Sequence, residues 1–279
     1  LFHANVAGRV CARLAGLTCP VAASVRVEDP RLLHRWGEQA TARWADVFVA
    51  NSASLGDFLR DRIGIPQAKI AVIPNALLPL PATAPRAFRR ALDLDRRTPL
   101  VVGVGRLHRQ KGFDLLVEAL ARWPEMAPRP CVALVGAGPE LSRLKRLAAR
   151  RAVADSLRFT GAMDSAAGAL ADADVVAIPS RWEGMPNVAM EAMALGRPVV
   201  AARVGAIPEL LGETGILVPP EDPEALATAI ARLLADPERA RALGEAARTR
   251  VRDYSPARMV DAHVALYGRL LRAGAGMAA

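Results

Sequence analysis

Two glutamates, Glu183 and Glu191, flank the start of a predicted helix within the stretch RWEGMPNVAMEAMALGRPVV, residues 181–200. The first backbone N–H groups of such a helix, around Asn187 and Val188, lack an intrahelical acceptor and, together with the helix dipole, favour an anion such as a phosphate. Glu191 lies four residues after Asn187 and therefore on the same helix face. An ionised carboxylate one turn beyond a phosphate site can accept hydrogen bonds from both hydroxyls of a ribose.

Glu183 lies in the loop that leads into this helix. We expect its side chain to face whatever group is attached beyond the phosphates. The alternative interpretation is an ordinary N-terminal capping arrangement in which Glu191 is solvated.

A second strand-to-helix turn, in GVGRLHRQKGFDLLVEAL (residues 103–120), carries two cations, Arg106 and Lys111. Its glycines allow the backbone to bend and to approach a ligand closely. Arg can bind a diphosphate bidentately and Lys acts as a point charge, so the pair predicts a diphosphate clamp. The turn is not a P-loop, because G-x4-G-K-[ST] is absent. It is not a dinucleotide fingerprint either, because His108 stands where the third glycine would be.

Both turns follow predicted strands. Short apolar runs alternate with helical patterns along the chain, which favours an α/β architecture of parallel sheets covered by helices on both faces. Ligands bind at the carboxyl ends of the strands in such sheets, so both turns should lie at the ligand edge. The proline-rich stretch at 74–88 predicts an interdomain linker. The predicted strands are 21–25, 47–50, 70–73, 100–105, 131–136, 157–161, 174–180, 198–202 and 215–219.

The net charge of +9 comes almost entirely from Arg side chains spread over the whole chain, and aromatic residues make up only 4%. This distribution argues against nucleic acid as a partner. The cysteines, 3 in number, show no metal-ligand spacing and indicate a reducing compartment. No apolar run approaches the roughly 20 residues that span a bilayer. We therefore expect a cytoplasmic protein whose basic surface is compatible with peripheral contact to the anionic inner face of a membrane.

Several segments together resemble the retaining glycosyltransferases of family 4: GVGRLHRQKG, ALVGAGPE, RFTG, DVVAIPSRWEGMPNVAMEAMALGRPVVA and GAIPELL. The most specific feature is the Glu-x(7)-Glu pair combined with the upstream Arg and Lys-Gly. The resemblance covers residues 45–250 and extends weakly over 1–44. It implies a GT-B fold, with two Rossmann-like domains of parallel sheets. The implied division is a partial N-terminal acceptor-side domain at 1–80, a nucleotide-sugar-binding domain at 81–255, and a C-terminal helix at 256–279 that crosses back to the first domain.

Enzymes of this family transfer a sugar from a nucleotide diphosphate sugar to an acceptor and retain the anomeric configuration. The resemblance implies a UDP- or GDP-sugar donor and a glycan or lipid-linked acceptor, with no cofactor and no metal. It implies Glu183 as the catalytic residue that contacts the transferred sugar. The implied donor-binding residues are Arg106, Lys111, Asn187 and Val188 for the diphosphate, Glu191 for the ribose, and Met163 for the base.

The acceptor side rests on the first residues of the chain. LFHANVAGRVCARLAG (1–16) resembles the family's strand-end histidine followed by a helix, which makes His3 a second catalytic candidate. A position often occupied by His in relatives is Arg26 here. Arg26 either binds an acceptor phosphate or pairs with Glu28 or Asp29. Relatives have roughly another 80–100 residues before this point, so we expect the first domain to be incomplete.

An Asp-Ala-Asp segment, residues 172–174, resembles the metal-binding Asp-x-Asp of a different glycosyltransferase fold. It falls at the amino end of a predicted strand, away from the ligand edge, so we expect no metal there. Two alternatives to a transferase stay open, a catalytically incomplete nucleotide-sugar-binding fragment and a GT-B sugar-nucleotide epimerase. The epimerase does not account for the Glu-x(7)-Glu segment.

Overall fold

The computed structural model describes residues 2–28 and 31–276 and divides into two compact units. Among the described helices, none combines the length and the apolar character needed to cross a bilayer. Unit 1 comprises Leu1–Ala76, Glu183–Met185 and Tyr254–Ala279, and unit 2 comprises Leu77–Trp182 and Pro186–Asp253.

The strands form two parallel sheets, with three strands in unit 1 and six in unit 2. Each of the nine predicted runs contains one of them, so the predicted α/β class with parallel sheets is confirmed. In chain order the strands are β1 (Ala22–Val25), β2 (Val47–Ala50), β3 (Ile70–Val72), β4 (Leu100–Val104), β5 (Cys131–Val135), β6 (Leu157–Gly161), β7 (Val175–Ile178), β8 (Val199–Ala202) and β9 (Ile216–Val218).

The α-helices alternate with these strands along most of the chain. They are α1 (Phe2–Leu14), α2 (Leu32–Thr41), α3 (Ala53–Phe58), α4 (Ala87–Ala91), α5 (Phe113–Ala121), α6 (Leu141–Arg150), α7 (Ala167–Asp172), α8 (Asn187–Ala194), α9 (Ile207–Leu211), α10 (Pro223–Ala235), α11 (Pro237–Arg250) and α12 (Pro256–Gly276).

Unit 1 is built on the sheet β1-β2-β3, whose central strand is buried on both faces. Phe48 and Ala50 of β2 pack in one cluster with residues of α3, while Val47 and Val49 pack in another with Leu266 of α12. Alternate residues of a strand point to opposite faces, so the continuous apolar run VFVA is what a doubly covered strand requires.

Unit 2 is built on the sheet β6-β5-β4-β7-β8-β9. Chain order runs outward from β4 in one direction and from β7 in the other, so the strand order reverses between these two neighbours. In doubly wound sheets the crevice at such a switch point, beyond the carboxyl ends of the strands, is the ordinary ligand site. The two turns singled out in the sequence follow β4 and β7, so both lie at this switch point.

The linker predicted at 74–88 contains no strand, but its end differs from the prediction because α4 begins at Ala87. The start of α4 is capped by a residue distant in sequence. The carboxylate of Asp172 accepts hydrogen bonds from the backbone N–H groups of Arg86, Phe88 and Arg89 at 2.9, 2.9 and 3.1 Å. The predicted boundaries at 80/81 and 255/256 lie near Ala76 and Tyr254, where the two units of the structure change.

Candidate functional site

The turn after β4 brings its two cations to the carboxyl end of the sheet. Arg106 is exposed just beyond the strand, and Lys111 ends a short 3-10 turn, Arg109–Lys111. The aliphatic part of the Lys111 side chain runs over Gly105, since a Cβ atom at Gly105 would lie 3.3 Å from Cε of Lys111. The ammonium group of Lys111 therefore lies at the end of β4 and not on the solvent-facing side of α5.

Neighbouring backbone fixes the shape of this turn. The N–H groups of Gly105 and Leu107 donate to the carbonyl oxygens of Val135 and Ala137, each at 2.9 Å. Gly112 has a φ of +64°, and a Cβ atom there would lie 1.9 Å from the carbonyl oxygen of Pro179. Only glycine allows the turn after β4 to approach the end of β7 so closely.

Helix α8 begins at Asn187, at the carboxyl end of β7. Pro186 is its N-cap residue and makes no side-chain capping bond. Ala189 donates its N–H to the Pro186 carbonyl at 3.1 Å, while the N–H groups of Asn187 and Val188 lie at the helix start. Such groups carry the positive end of the helix dipole and suit an anion.

Glu191 and Asn187 share a face of α8, while Ala189, Met190, Ala192 and Met193 are buried. Glu191 is half-buried, and this burial raises the pKa of its carboxyl group above the ordinary value of 4.5. Pro186 makes no side-chain capping bond and Glu191 is half-buried, and both observations weigh against the alternative of a capped helix with a solvated carboxylate. An ionised carboxylate at such a place gains by accepting hydrogen bonds from a ligand.

The loop segment Glu183–Met185 belongs to unit 1. A Cβ atom at Gly184 would lie 1.8 Å from the carbonyl oxygen of Arg26, and Asn75 donates to the carbonyl oxygen of Met185 at 3.0 Å. The Glu183 side chain is buried, with 5% of its surface exposed. Its position is thus set by tightly packed backbone within unit 1, which the sequence did not indicate.

The arrangement in unit 2 fits a doubly charged anion such as a diphosphate, followed by a diol.

Two family models match the chain and together account for more than half of it. "Glycosyl transferases group 1" matches residues 98–236, and "Glycosyltransferase Family 4" matches residues 3–77. The chain belongs to the GT-B glycosyltransferases.

Curated relatives of this GT-B chain include two from actinobacteria. A GDP-mannose-dependent alpha-(1-6)-phosphatidylinositol monomannoside mannosyltransferase of Mycolicibacterium smegmatis is 41% identical over 161 residues, which covers 54% of this chain and 42% of the relative. A D-inositol 3-phosphate glycosyltransferase of Gordonia bronchialis is 34% identical over 253 residues, covering 85% of this chain and 55% of the relative. The chain thus spans about half the length of the curated relatives it matches.

Solved structures show the same fold. Sucrose-phosphate synthase from Thermosynechococcus elongatus is 34% identical, with a TM-score of 0.77, and the match covers 87% of this chain and 63% of that one. HepE from Anabaena, solved in complex with UDP, is 24% identical, with a TM-score of 0.83 and coverage of 98% and 77%. These matches confirm the GT-B architecture that the sequence predicted.

The structure brings His3 and Arg26 to one cavity of about 220 Å³ in unit 1. Arg31, Arg35 and Glu38 line the same cavity, so its wall carries more basic than acidic side chains. His3 lies within the first turn of α1. The sequence had predicted that it would lie at a strand end, before the helix. Its ring contacts that of His34 edge-on, with centroids 5.4 Å apart.

Arg26 contacts Asn75, a residue that is distant in sequence. Its guanidinium donates to Oδ1 of Asn75 at 2.6 Å, while Glu28 accepts a hydrogen bond from Ser54 at 3.3 Å. Asp29, the other expected partner, lies outside the described residues. The amide oxygen of Asn75 accepts this hydrogen bond but carries no negative charge.

Met163 follows β6, at the carboxyl edge of the unit 2 sheet, and is 45% exposed. β6 is the edge strand and is separated from β4 by β5. Met163 therefore lies at the same edge of the sheet as the turns after β4 and β7, with the end of β5 between them.

The Asp-Ala-Asp segment lies between α7 and β7, at the amino edge of the sheet, and both carboxylates bond to protein groups. Asp172 caps α4. Asp174 pairs with Arg89 and accepts a hydrogen bond from the N–H of Leu100 at 2.7 Å. Both therefore have structural roles at the edge opposite the turns that follow β4 and β7. Among the described residues, no three His, Cys, Asp or Glu side chains gather as a metal site would require.

The raised pKa of Glu191 leads to a prediction for pH. Only the ionised carboxylate accepts from both ribose hydroxyls, so affinity for a nucleoside diphosphate should fall as the pH drops through a pKa above 4.5. The stability of the ligand-free chain should depend on pH in the opposite direction. Because folding raises the pKa of Glu191, the folded state binds more protons than the unfolded state in this pH range, and the free energy of unfolding falls as the pH rises.

Calorimetric titration of the chain with UDP and GDP across this range checks the prediction. The Glu191→Gln variant is the control, since the phosphates of the nucleotide titrate equally in both experiments. The parent should show the steeper loss of affinity at low pH. Identical profiles for parent and variant would contradict it.

Proposed function

We propose that the chain carries the donor site of a retaining glycosyltransferase that takes its sugar from a nucleotide diphosphate sugar. One observation carries the proposal. Arg106, Lys111 and the start of α8 occur together where the strand order reverses, with Glu191 one turn farther along α8. Cations, helix N–H groups and a carboxylate in this order match a diphosphate followed by a ribose.

Breakage of the bond between the anomeric carbon and the diphosphate leaves negative charge on the departing phosphate. In the proposed reaction, Arg106 and Lys111 stabilise that charge together with the N–H groups of Asn187 and Val188. Such fixed groups stabilise the transition state more than the ground state, because the charge develops as the bond breaks. Glu183, which is buried, contacts the transferred sugar, and His3 is the second catalytic candidate.

The donor is proposed to be a UDP- or GDP-sugar. The curated name of the Mycolicibacterium relative includes GDP-mannose dependence, and HepE was solved with UDP and with UDP-glucose. The base would lie toward the loop after β6, where Met163 is exposed.

The acceptor is proposed to be a glycan or a lipid-linked compound that carries an anionic group. Arg26, Arg31 and Arg35 line the unit 1 cavity, and guanidinium groups bind phosphate well. The curated relatives are named for inositol 3-phosphate and a phosphatidylinositol mannoside, both of which contain phosphate. Peripheral contact with an anionic membrane from the cytoplasmic side fits the same basic surface.

A thermal-shift screen with UDP-, GDP- and ADP-sugars, followed by a transfer assay, tests the proposal. A ligand at 100 times its dissociation constant should add about 2.7 kcal/mol to the free energy of unfolding. Stabilisation by one class of sugar nucleotide, with transfer that retains the anomeric configuration, is expected. Stabilisation without transfer would favour a binding fragment, and a 2-epimerised sugar nucleotide would favour an epimerase.

Transfer should persist in an excess of chelator, because protein cations and a helix start take the place of a divalent ion at the diphosphate. The measurement is the initial rate of transfer with and without EDTA. Loss of activity with EDTA and recovery with Mn²⁺ would contradict the mechanism and direct attention back to residues 172–174.

A further inference from the structure

Arg181, directly beyond β7, makes an ion pair at the ligand edge of unit 2 that the proposed reaction does not use. Its side chain is 12% exposed, and its two terminal nitrogens donate to the two carboxylate oxygens of Asp114 at 2.7 and 3.0 Å. Asp114 lies in the first turn of α5, three residues after Lys111. The pair therefore joins the turn after β4 to the loop after β7.

Further bonds join the same two segments. The backbone N–H of Arg181 donates to the carbonyl oxygen of Gln110 at 2.8 Å, and its Nη1 donates to that of Arg109 at 2.9 Å. The side-chain amide of Gln110 in turn donates to the carbonyl oxygen of Trp182 at 3.0 Å. Arg109 and Gln110 belong to the same short turn as Lys111, so Arg181 bonds directly to the segment that positions this cation.

A third segment at the same edge is also joined. Nε of Arg181 lies 2.6 Å from Oε1 of Glu221, which has a φ of +59° in the loop between β9 and α10. One guanidinium thus connects loops that follow three different strands. Its planar fork can do this with fixed geometry, which an ammonium group cannot.

The ion pair has an electrostatic consequence. Burial raises the pKa of Asp114, but the hydrogen bonds and charge of Arg181 outweigh burial and leave that pKa below its ordinary value. Asp114 is therefore ionised and compensated at neutral pH. Arg143 lies 3.5 Å from the same carboxylate, so removal of Arg181 would leave the half-buried Asp114 with a single, more distant ion-pair partner among the described residues.

We propose that Arg181 is a positioning residue for the nucleotide site. It fixes the turn bearing Lys111 against the end of β7, from which α8 follows, and it compensates the charge of Asp114 at the start of α5. Arg181 does not touch the nucleotide. The inference rests on the proposed function, because it concerns the same diphosphate site.

The test compares Arg181→Met with Arg89→Met by calorimetric titration with UDP and GDP and by thermal unfolding. Arg89 is a matched control, because its side chain is 10% exposed and pairs with Asp174, also in unit 2, but lies at the opposite, amino edge of the sheet. Both variants should lower the unfolding temperature. Only Arg181→Met should also weaken nucleotide binding, by about tenfold.

Arg181→Lys keeps the charge without the bidentate geometry and should recover part of the affinity for the nucleotide. If Arg181→Met does not fold, Arg181→Lys takes its place in the comparison with Arg89→Met. Unchanged affinity in a folded Arg181 variant, or equal losses in the Arg181 and Arg89 variants, would overturn the positioning role alone. A parent chain that binds no nucleoside diphosphate would overturn the proposed function and this inference with it.

Discussion

Replacement of Lys111 with alanine should lower kcat/KM by about 30- to 1,000-fold, which corresponds to roughly 2–4 kcal/mol of transition-state stabilisation. The side chain extends over Gly105 at the end of β4, where the departing diphosphate is proposed to lie. The charge on that group is greatest once the bond to the sugar is breaking. The loss should therefore appear more in kcat than in KM.

Lys145→Ala is the matched control for this experiment. Lys145 is an exposed lysine of the same unit, on α6, with its ammonium group 5.9 Å from the centre of the Phe159 ring. Its removal changes the net charge of unit 2 equally and should leave turnover almost unchanged. Similar small effects of both substitutions would show that Lys111 does not act on the leaving group.

Glu191→Ala should weaken binding of the free nucleoside diphosphate by about 10- to 150-fold, since hydrogen bonds to a charged group contribute roughly 1.5–3 kcal/mol. The half-buried carboxylate lies one turn beyond the helix start and is proposed to accept from the ribose hydroxyls. The measurement is a calorimetric titration with UDP and GDP.

Glu183→Gln is the companion variant. Glu183 is buried, so the isosteric amide is preferred to alanine, which would leave a cavity. It should bind the free nucleotide nearly as the parent does, because the nucleotide lacks the sugar that Glu183 is proposed to contact, but it should transfer sugar slowly. If both variants bind the free nucleotide like the parent, the ribose assignment is wrong.

The strands, and the meeting of the two turns at one edge of the sheet, were predictable because their signals are local. β-branched runs such as DVVAIPS become buried central strands wherever both faces of a sheet are covered, and β7 lies within that run. The ends of adjacent parallel strands meet at one edge, so two turns that follow such runs are expected to be near each other. Asn187 and Glu191 are four residues apart, and the helical period alone places residues with that spacing on one face.

What the sequence did not indicate depends on partners far apart in the chain. α4 begins where Asp172 accepts hydrogen bonds from N–H groups more than 80 residues away. Arg181 and Asp114 are 67 residues apart, and their pairing is seen only once β4 and β7 are neighbours. The attachment of Glu183–Met185 to unit 1 is likewise a matter of tertiary packing.

A different reason applies to α11, which hydrophobic periodicity does not reveal. Half of the residues in its sequence, PERARALGEAARTR, are polar and Leu243 is its one large apolar side chain, so it offers little apolar periodicity to detect. The available signal was the N-terminal cap. Asp236 accepts a hydrogen bond from the N–H of Arg239 at 3.0 Å, and Pro237 follows it at the first helical position. An Asp-Pro pair before a polar segment marks a helix start independently of hydrophobic pattern.

The most direct test of the account is a crystal structure of the chain with a bound nucleoside diphosphate. The account predicts that the diphosphate lies beyond the ends of β4 and β7, contacted by Arg106, Lys111 and the first N–H groups of α8. It also predicts that both ribose hydroxyls donate to the carboxylate of Glu191 at about 2.5–3.0 Å. A nucleotide bound elsewhere, or one whose ribose points away from Glu191, would contradict the central claim.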